Sequence, residues 1–592
     1  MVAQSITTRK ATSPLPALLG VAVAASVLIY AALAISFFPT ANGTLGHDYE
    51  YFLPLLLAGK YWVAQNGLSA VPRFTPAFCG GVPLLANPQS LFYSVPQALA
   101  LLVDPVTSYR LTTLLFAAAG GVGTYFLMTR RFGVSLAAAL LSSVIFLFNG
   151  FLMYRLAIGH VTYHVVGLMP ALCYFLLAPA RDLRHGTRAV VGSAAILTYF
   201  VYGGAPNMLG QLAVTCVAVW LIHGFVRPMR YSFWFIGAAA GILAGAAGAA
   251  KLVAAMAWLS EFPRPHTIEL VDDFPALLAS LLRGLFFPAS LPPEIGRHEW
   301  EFGVGLMPLF LLVRGARLAG TRFGSRGLFA RPSVARSFGV AALAALMVLP
   351  IWLNYGDAEK AAWLKTLPYI GDNVVLVRWF SIYLLPLTVA AGCLMDFAFP
   401  NESARLRAAI VGVIVTVAQP LLSDRSYYQQ QPYEPGLVLS ASRATDLTGR
   451  VPAVSAIGSI PGAGRNDGLA SGRSSYPCYE PMFGYRLETF PGTLVLGSLS
   501  GDTGAPHLRN PACYIYGNAN GCVPGAEFTG AERGDEAAFA DYRPFSYALP
   551  AWQIWADRLS LLALLIMLGA AAFALGRIPK GLPRFETKDA RP

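Results

Sequence analysis

The feature that most constrains this chain is the regular return of long apolar runs, separated by short connections that hold most of the charge. A hydrocarbon core of about 30 Å takes about 20 apolar residues to cross as a helix, because lipid offers no partner to an unsatisfied backbone group. The first run covers roughly 16–38 and follows Arg9 and Lys10. It exceeds the ~7 to 15 residues of a signal-peptide core and reads as a retained helix. Further runs lie near 107–128, 134–153, 163–180, 188–204, 207–224, 232–257, 302–313, 337–353, 379–398, 407–422 and 552–576. With 55% hydrophobic and 12% charged residues, this is no ordinary soluble protein. The fold class expected is an all-α polytopic membrane protein of about 12 transmembrane helices.

Charge gives an independent test, since Lys and Arg in short loops mark the cytoplasmic side and should occupy every second connection. Arg130 and Arg131, then Arg181, Arg184 and Arg188, then Arg227 and Arg230, then the six arginines from Arg314 to Arg336, then Arg405 and Arg407 follow that rule, as do both ends. Both termini are therefore expected in the cytoplasm, and the run at 302–313 is the shortest of the set. The net charge of +12 is spread over alternate loops rather than drawn into one stripe, so no nucleic acid is expected as a partner. Four segments fall outside as substantial loops: 39–106, 258–301, 354–378 and 423–551.

The domain division expected is 1–422 for the first eleven helices, with interfacial helices in loop 39–106, then an extracytoplasmic domain at 423–551, then 552–592 for the last helix and a basic tail. The 423–551 segment is rich in Gly, Pro, Ser and Tyr, with short Val and Leu runs as in 486–500, and suggests a small β-rich or mixed module. Cys79, Cys173, Cys216 and Cys393 fall singly and read as inert. Cys478, Cys513 and Cys522 share the outer segment without a nearby His pattern, so a disulfide among them is favoured over zinc.

The first outer loop opens Gly46-His47-Asp48-Tyr49-Glu50, placing two carboxylates and an imidazole just past the end of the first helix. The loop continues with Pro72-Arg73-Phe74-Thr75-Pro76, Gly80-Gly81-Val82-Pro83, Asn87-Pro88-Gln89 and Phe92-Tyr93. Later come Arg155-Leu156-Ala157-Ile158-Gly159-His160, Gly203-Gly204-Ala205-Pro206-Asn207 and Glu301-Phe302-Gly303-Val304-Gly305. These stretches resemble the GT-C glycosyltransferases, and among them the YfhO-like bacterial membrane proteins, over about residues 1–400.

The resemblance implies a GT-C-like fold and an inverting hexosyl- or pentosyltransferase. A hydroxyl of a glycan, lipid or polymer acceptor of the cell envelope would attack the sugar of a polyprenyl-phosphate donor on the extracytoplasmic face. It implies a bacterial inner membrane. No cofactor is expected. Such a reaction needs a proton acceptor and cations at the departing phosphate. Asp48 is the candidate base by its family-like position, with Glu50 in reserve. The donor phosphate and substrate are assigned to His47, Arg73, Arg155, His160, His164, Arg264 and Arg378 on the outer side and to Lys251, an intramembrane charge near the outer end of the seventh helix. Many GT-C enzymes carry a second acid in the second outer loop, where this chain has Arg155, His160 and His164, so a shared carboxylate-bound metal is not favoured. The competing reading is a multi-pass transporter or lipid flippase, in which Pro170, Pro350 and Pro386 would break helices. Walker-type, Ser-His-Asp and CxxC patterns are absent.

Overall fold

Helices form wherever the apolar runs are long, and their starts are set by short polar side chains. The computed structural model describes residues 13–38, 40, 43–180, 182–262, 267–288, 291, 296–324, 334–373, 375–480, 494–500 and 504–576. In chain order the helices are α1 (Leu15–Ile35), α2 (Tyr49–Asn66), α3 (Val95–Ala100), α4 (Pro105–Phe126), α5 (Leu136–Leu147), α6 (Gly150–Ile158) and α7 (Met169–Leu176). Then follow α8 (Leu183–Tyr202), α9 (Leu209–Val226), α10 (Ser232–Glu261), α11 (Phe274–Phe286), α12 (Arg297–Trp300), α13 (Leu306–Gly324) and α14 (Val334–Asn354). The last are α15 (Ala358–Thr366), α16 (Leu384–Ala398), α17 (Glu402–Leu421), α18 (Gly436–Thr448), α19 (Cys513–Asn520), α20 (Arg533–Ala540) and α21 (Ala551–Leu575). Asp104, Ser135, Asn149, Asp182 and Asn401 each accept a backbone N–H at a helix start, satisfying donors that the helix itself leaves open.

Among the described residues, nine helical segments are long and apolar enough to cross a membrane, which marks a multi-pass membrane protein. Three of the twelve expected spans do not reach that length and hydropathy, each for a local reason. The run at 163–180 is a 3-10 turn over Val161–Leu168 followed by the short α7, which carries Pro170 in its first turn. The run at 188–204 becomes α8, whose first turns carry Arg184, His185 and Arg188. The run at 302–313 becomes α13, which starts only after Gly303 and Gly305, both at positive φ, and runs on into Arg314 and Arg317.

α10 packs on α8 and α21 through Ala240, Ala244, Ala247 and Gly248. Small residues let backbones approach where lipid gives no hydrophobic drive between helices.

The first outer loop and the 423–551 segment share one hydrophobic core, with Leu53, Leu57 and Phe74 of the loop beside Leu469, Tyr516 and Tyr542 of the segment. The loop holds an antiparallel pair, β1 (Phe74–Thr75) with β2 (Val82–Pro83). The segment is mixed, with little strand: β3 (Ala456–Ile457) lies between parallel β4 (Arg473–Ser474) and antiparallel β5 (Gly497–Ser498). Of the expected strand stretch 486–500, residues 486–493 lie outside the described residues, as does the basic tail at 577–592. Polar anchors reinforce the joint: Lys60 pairs with Asp446 at 2.7 Å, and the Asn66 amide donates to the Tyr542 carbonyl at 2.7 Å. Two disulfides complete it. Cys513 bonds Cys522 within the segment, and Cys79, expected to be inert, bonds Cys478 across the joint.

Candidate active site

Two glycines create the centre by letting backbones touch. A Cβ on Gly46 would lie 2.4 Å from the Ile158 carbonyl oxygen, and one on Gly159, at φ +106°, would lie 2.5 Å from the Tyr49 nitrogen. The loop after α1 therefore rests directly on the end of α6, and the Asp48 N–H donates to the Ile158 carbonyl at 3.1 Å. This crossing sets Asp48 beside His160.

Asp48 precedes α2 without capping it, so its carboxylate is free to face the crossing. Oδ2 lies 2.6 Å from His160 Nε2, Oδ1 lies 3.2 Å from His47 Nε2, and the Tyr479 hydroxyl donates to Oδ1 at 2.9 Å. Asp48 is only 7% exposed. Burial alone would raise its pKa, but His160, His47 and Tyr479 outweigh burial and hold the carboxyl well below the usual range. Burial pushes His160 down to about 4 in spite of Asp48, so a neutral imidazole faces an ionised carboxylate.

One ring further on, His160 meets His298 edge to face at 5.3 Å between centroids. Beside His298, the Glu299 carboxylate receives Arg155 Nη1 at 2.5 Å and Arg378 Nε at 3.0 Å, and Arg378 Nη2 also reaches it. Both guanidiniums lie over the Tyr163 ring, at 5.2 and 5.6 Å. Burial opposes ionisation of Glu299, and the two arginines overcome it, holding the carboxyl well below its ordinary value. Glu299, carried by α12, is thus the carboxylate that stands near His160 and holds the two arginines.

His160, His298 and Glu299 offer ligand atoms within 4.8 Å of one another. Two guanidiniums already hold the Glu299 oxygens, however, and their charge favours an anion over a divalent cation at this place.

His47, Arg155, His160 and Arg378 therefore converge with Asp48, and other residues expected there do not. His164 is buried among helices, with Nδ1 2.7 Å from the Val161 carbonyl and Nε2 2.8 Å from the Tyr199 hydroxyl. Arg73 pairs with Asp557 of α21. Lys251 donates to the Ser90 carbonyl at 2.9 Å. Arg264 lies outside the described residues. Glu50 faces Arg465 at 3.8 Å and lines a cleft of about 760 Å³ between the first outer loop and the 423–551 segment, together with His47, Tyr433, Glu434 and Asp467. Sequence reasoning missed His298, Glu299 and Tyr479. The density of ionisable groups in Arg297-His298-Glu299-Trp300-Glu301 is the signal for the first two; Tyr479 had only its neighbour Cys478.

No family model matches the chain, and no curated protein matches it in sequence. Among solved structures it is similar to the mycobacterial arabinofuranosyltransferase AftD, with a TM-score of 0.45 and 16% identity over 79% of this chain. A mutant form of the same enzyme gives 0.42 and 16% over 76%. The chain spans about a third of that protein, 32% and 31% in the two cases, and a likeness of this size decides neither family nor activity.

Proposed function

We propose that this protein is an inverting membrane glycosyltransferase of the GT-C kind, moving a sugar from a polyprenyl-phosphate donor to an envelope acceptor on the extracytoplasmic face. One observation carries the reading: a buried, ionised carboxylate is joined through the His160 and His298 rings to a guanidinium pair held on Glu299. A displacement at an anomeric carbon needs these two functions side by side, a proton acceptor for the incoming hydroxyl and cations for the departing phosphate.

Glu299 fixes Arg155 and Arg378 in place, and Arg378 Nη1 makes no hydrogen bond among the described residues. Its N–H groups remain for a phosphate oxygen, with the His160 and His298 rings alongside. Asp48 and the imidazoles bound to it form the proton-accepting side. The polar centre gathers at the start of α2, the end of α6 and α12, not halfway along the spans, which favours chemistry at the membrane surface over passage through it. With both termini placed in the cytoplasm, the arrangement that the alternating basic connections favour, this centre faces outward in an inner membrane.

The test is a transfer assay in liposomes with a panel of radiolabelled polyprenyl-phosphate sugars, comparing the wild type with Asp48→Asn and checking that both are folded. Turnover of one donor, lost in the variant, supports the reading and identifies the sugar. No turnover with any donor, alongside measurable lipid or solute movement, would favour a transporter.

A further inference from the structure

We infer that the cleft between the first outer loop and the 423–551 segment is the acceptor site, that it takes a neutral or amino-bearing saccharide chain, and that His47 receives the proton of its attacking hydroxyl; this rests on the transferase reading above. The cleft, about 760 Å³, is of the size that holds small ligands and has room for a short saccharide. Its walls are fixed before any ligand arrives. The Tyr433 hydroxyl donates to Asp467 Oδ1 at 2.6 Å, the Gly464 N–H donates to Oδ2 at 3.0 Å, and the Arg465 N–H donates to Glu50 Oε2 at 3.3 Å.

The lining brings three carboxylates, Glu50, Glu434 and Asp467, against one guanidinium, Arg465. Carboxylates accept hydrogen bonds from sugar hydroxyls and ammonium groups and repel uronates or phosphorylated sugars. The chemistry of the walls thus selects by charge.

His47 is the link between this cleft and the buried centre. Its side chain is 38% exposed and lines the cleft, whereas Asp48 does not line it and already receives His160 on one oxygen and Tyr479 on the other. With Nε2 turned to Asp48, Nδ1 is the ring nitrogen left for a hydroxyl held in the cleft. In the transfer step the hydroxyl oxygen bonds the anomeric carbon, the bond from that carbon to the phosphate oxygen breaks with its electron pair leaving on the phosphate, and the hydroxyl proton passes to Nδ1. Asp48 then faces an imidazolium and stabilises it, as a carboxylate behind a basic histidine does elsewhere.

The test uses the full chain in lipid nanodiscs and has two arms. In the first, binding of three oligosaccharides of equal length, one neutral, one amino-bearing and one built of uronates, is measured without donor. The expected result is uronate binding weaker by about 10-fold or more, with Glu434→Lys narrowing the gap. In the second, His47→Ala lowers kcat by ~10²- to 10⁴-fold with the donor KM unchanged, and added imidazole restores part of the rate. His47→Gln, which keeps a polar side chain, and a melting curve guard against misfolding. Equal binding of all three saccharides, or a wild-type kcat in His47→Ala, would overturn the inference while Asp48-dependent transfer stands. Charge-selective binding without transfer from any donor would instead remove the transferase reading, and the proton role of His47 with it.

Discussion

Asp48 and Glu301 are both buried carboxylates that accept a tyrosine hydroxyl, Tyr479 in one case and Tyr428 in the other, yet their environments drive them in opposite directions. Glu301 receives Arg297 Nε at 3.1 Å and a second contact from Nη2, and burial still raises it from 4.5 to about 7. Asp48 has no guanidinium on it and stays well below its ordinary value, because imidazoles and a phenol occupy both of its oxygens. Both carboxyls have donors on each oxygen, so the contrast lies in the partners: two imidazoles with a phenol outweigh burial at Asp48, whereas one guanidinium with a phenol does not at Glu301. It also separates roles: groups pushed apart in pKa mark where chemistry and structure divide. In the proposed reaction Asp48 takes part, whereas Glu301 lies in a separate network with Tyr428 and Tyr154.

The sharpest way to break this comparison is Asp48→Asn. Transfer should fall by at least ~10³-fold, because the carboxylate that stabilises the proton-accepting imidazole is lost; initial rates in the donor assay read this directly. Next comes Arg378→Lys, which keeps the charge but loses the two-point grip on Glu299 and the spare Nη1. Donor saturation curves should show a KM raised by about 10- to 100-fold, from the loss of a charge-assisted contact.

Tyr479→Phe sharpens the comparison by making Asp48 more like Glu301. Removing one donor lifts the carboxyl toward its ordinary range, so protonation begins at higher pH and the acid limb of the pH–rate profile moves upward. The rate at neutral pH should drop by about 10-fold, the size of one hydrogen bond to a charged group.

Glu301→Gln should change transfer least and the shape of the stability curve most. With a folded value near 7 and an ordinary value of 4.5, the folded state holds more protons than the unfolded state between these limits. Stability from this group is therefore full below pH 4.5 and lost as pH rises to 7, with a slope of up to about 1.4 kcal/mol per pH unit. Melting curves across that window should be flatter in the variant. A slope unchanged by the substitution would show that Glu301 is ionised throughout.

Much of this centre was legible because position relative to the lipid is written in composition. Arg155 and Arg378 each stand near the end of an apolar run, and Asp48 in the polar stretch after the first run, positions where ionisable side chains stand out from the lipid-spanning residues. Arg73 and Lys251 carried the same signal and went elsewhere. Asp557 and the Ser90 carbonyl take them up as internal partners, because a charge near lipid demands a partner without specifying which one. Cys79 shows the same limit: a lone cysteine in an outer loop gives no hint that its partner lies 399 residues away.

By itself the sequence determined that this protein is a multi-pass membrane protein and where nine of its long apolar helices lie, since hydropathy acts through burial energies that each segment carries alone. Only the tertiary structure decided that Gly46 and Gly159 would let two loops touch, that α12 would supply Glu299, and that Tyr479 would reach Asp48 from 431 residues away. Those choices depend on which backbones can approach within hydrogen-bond distance, and that is a property of the packed whole.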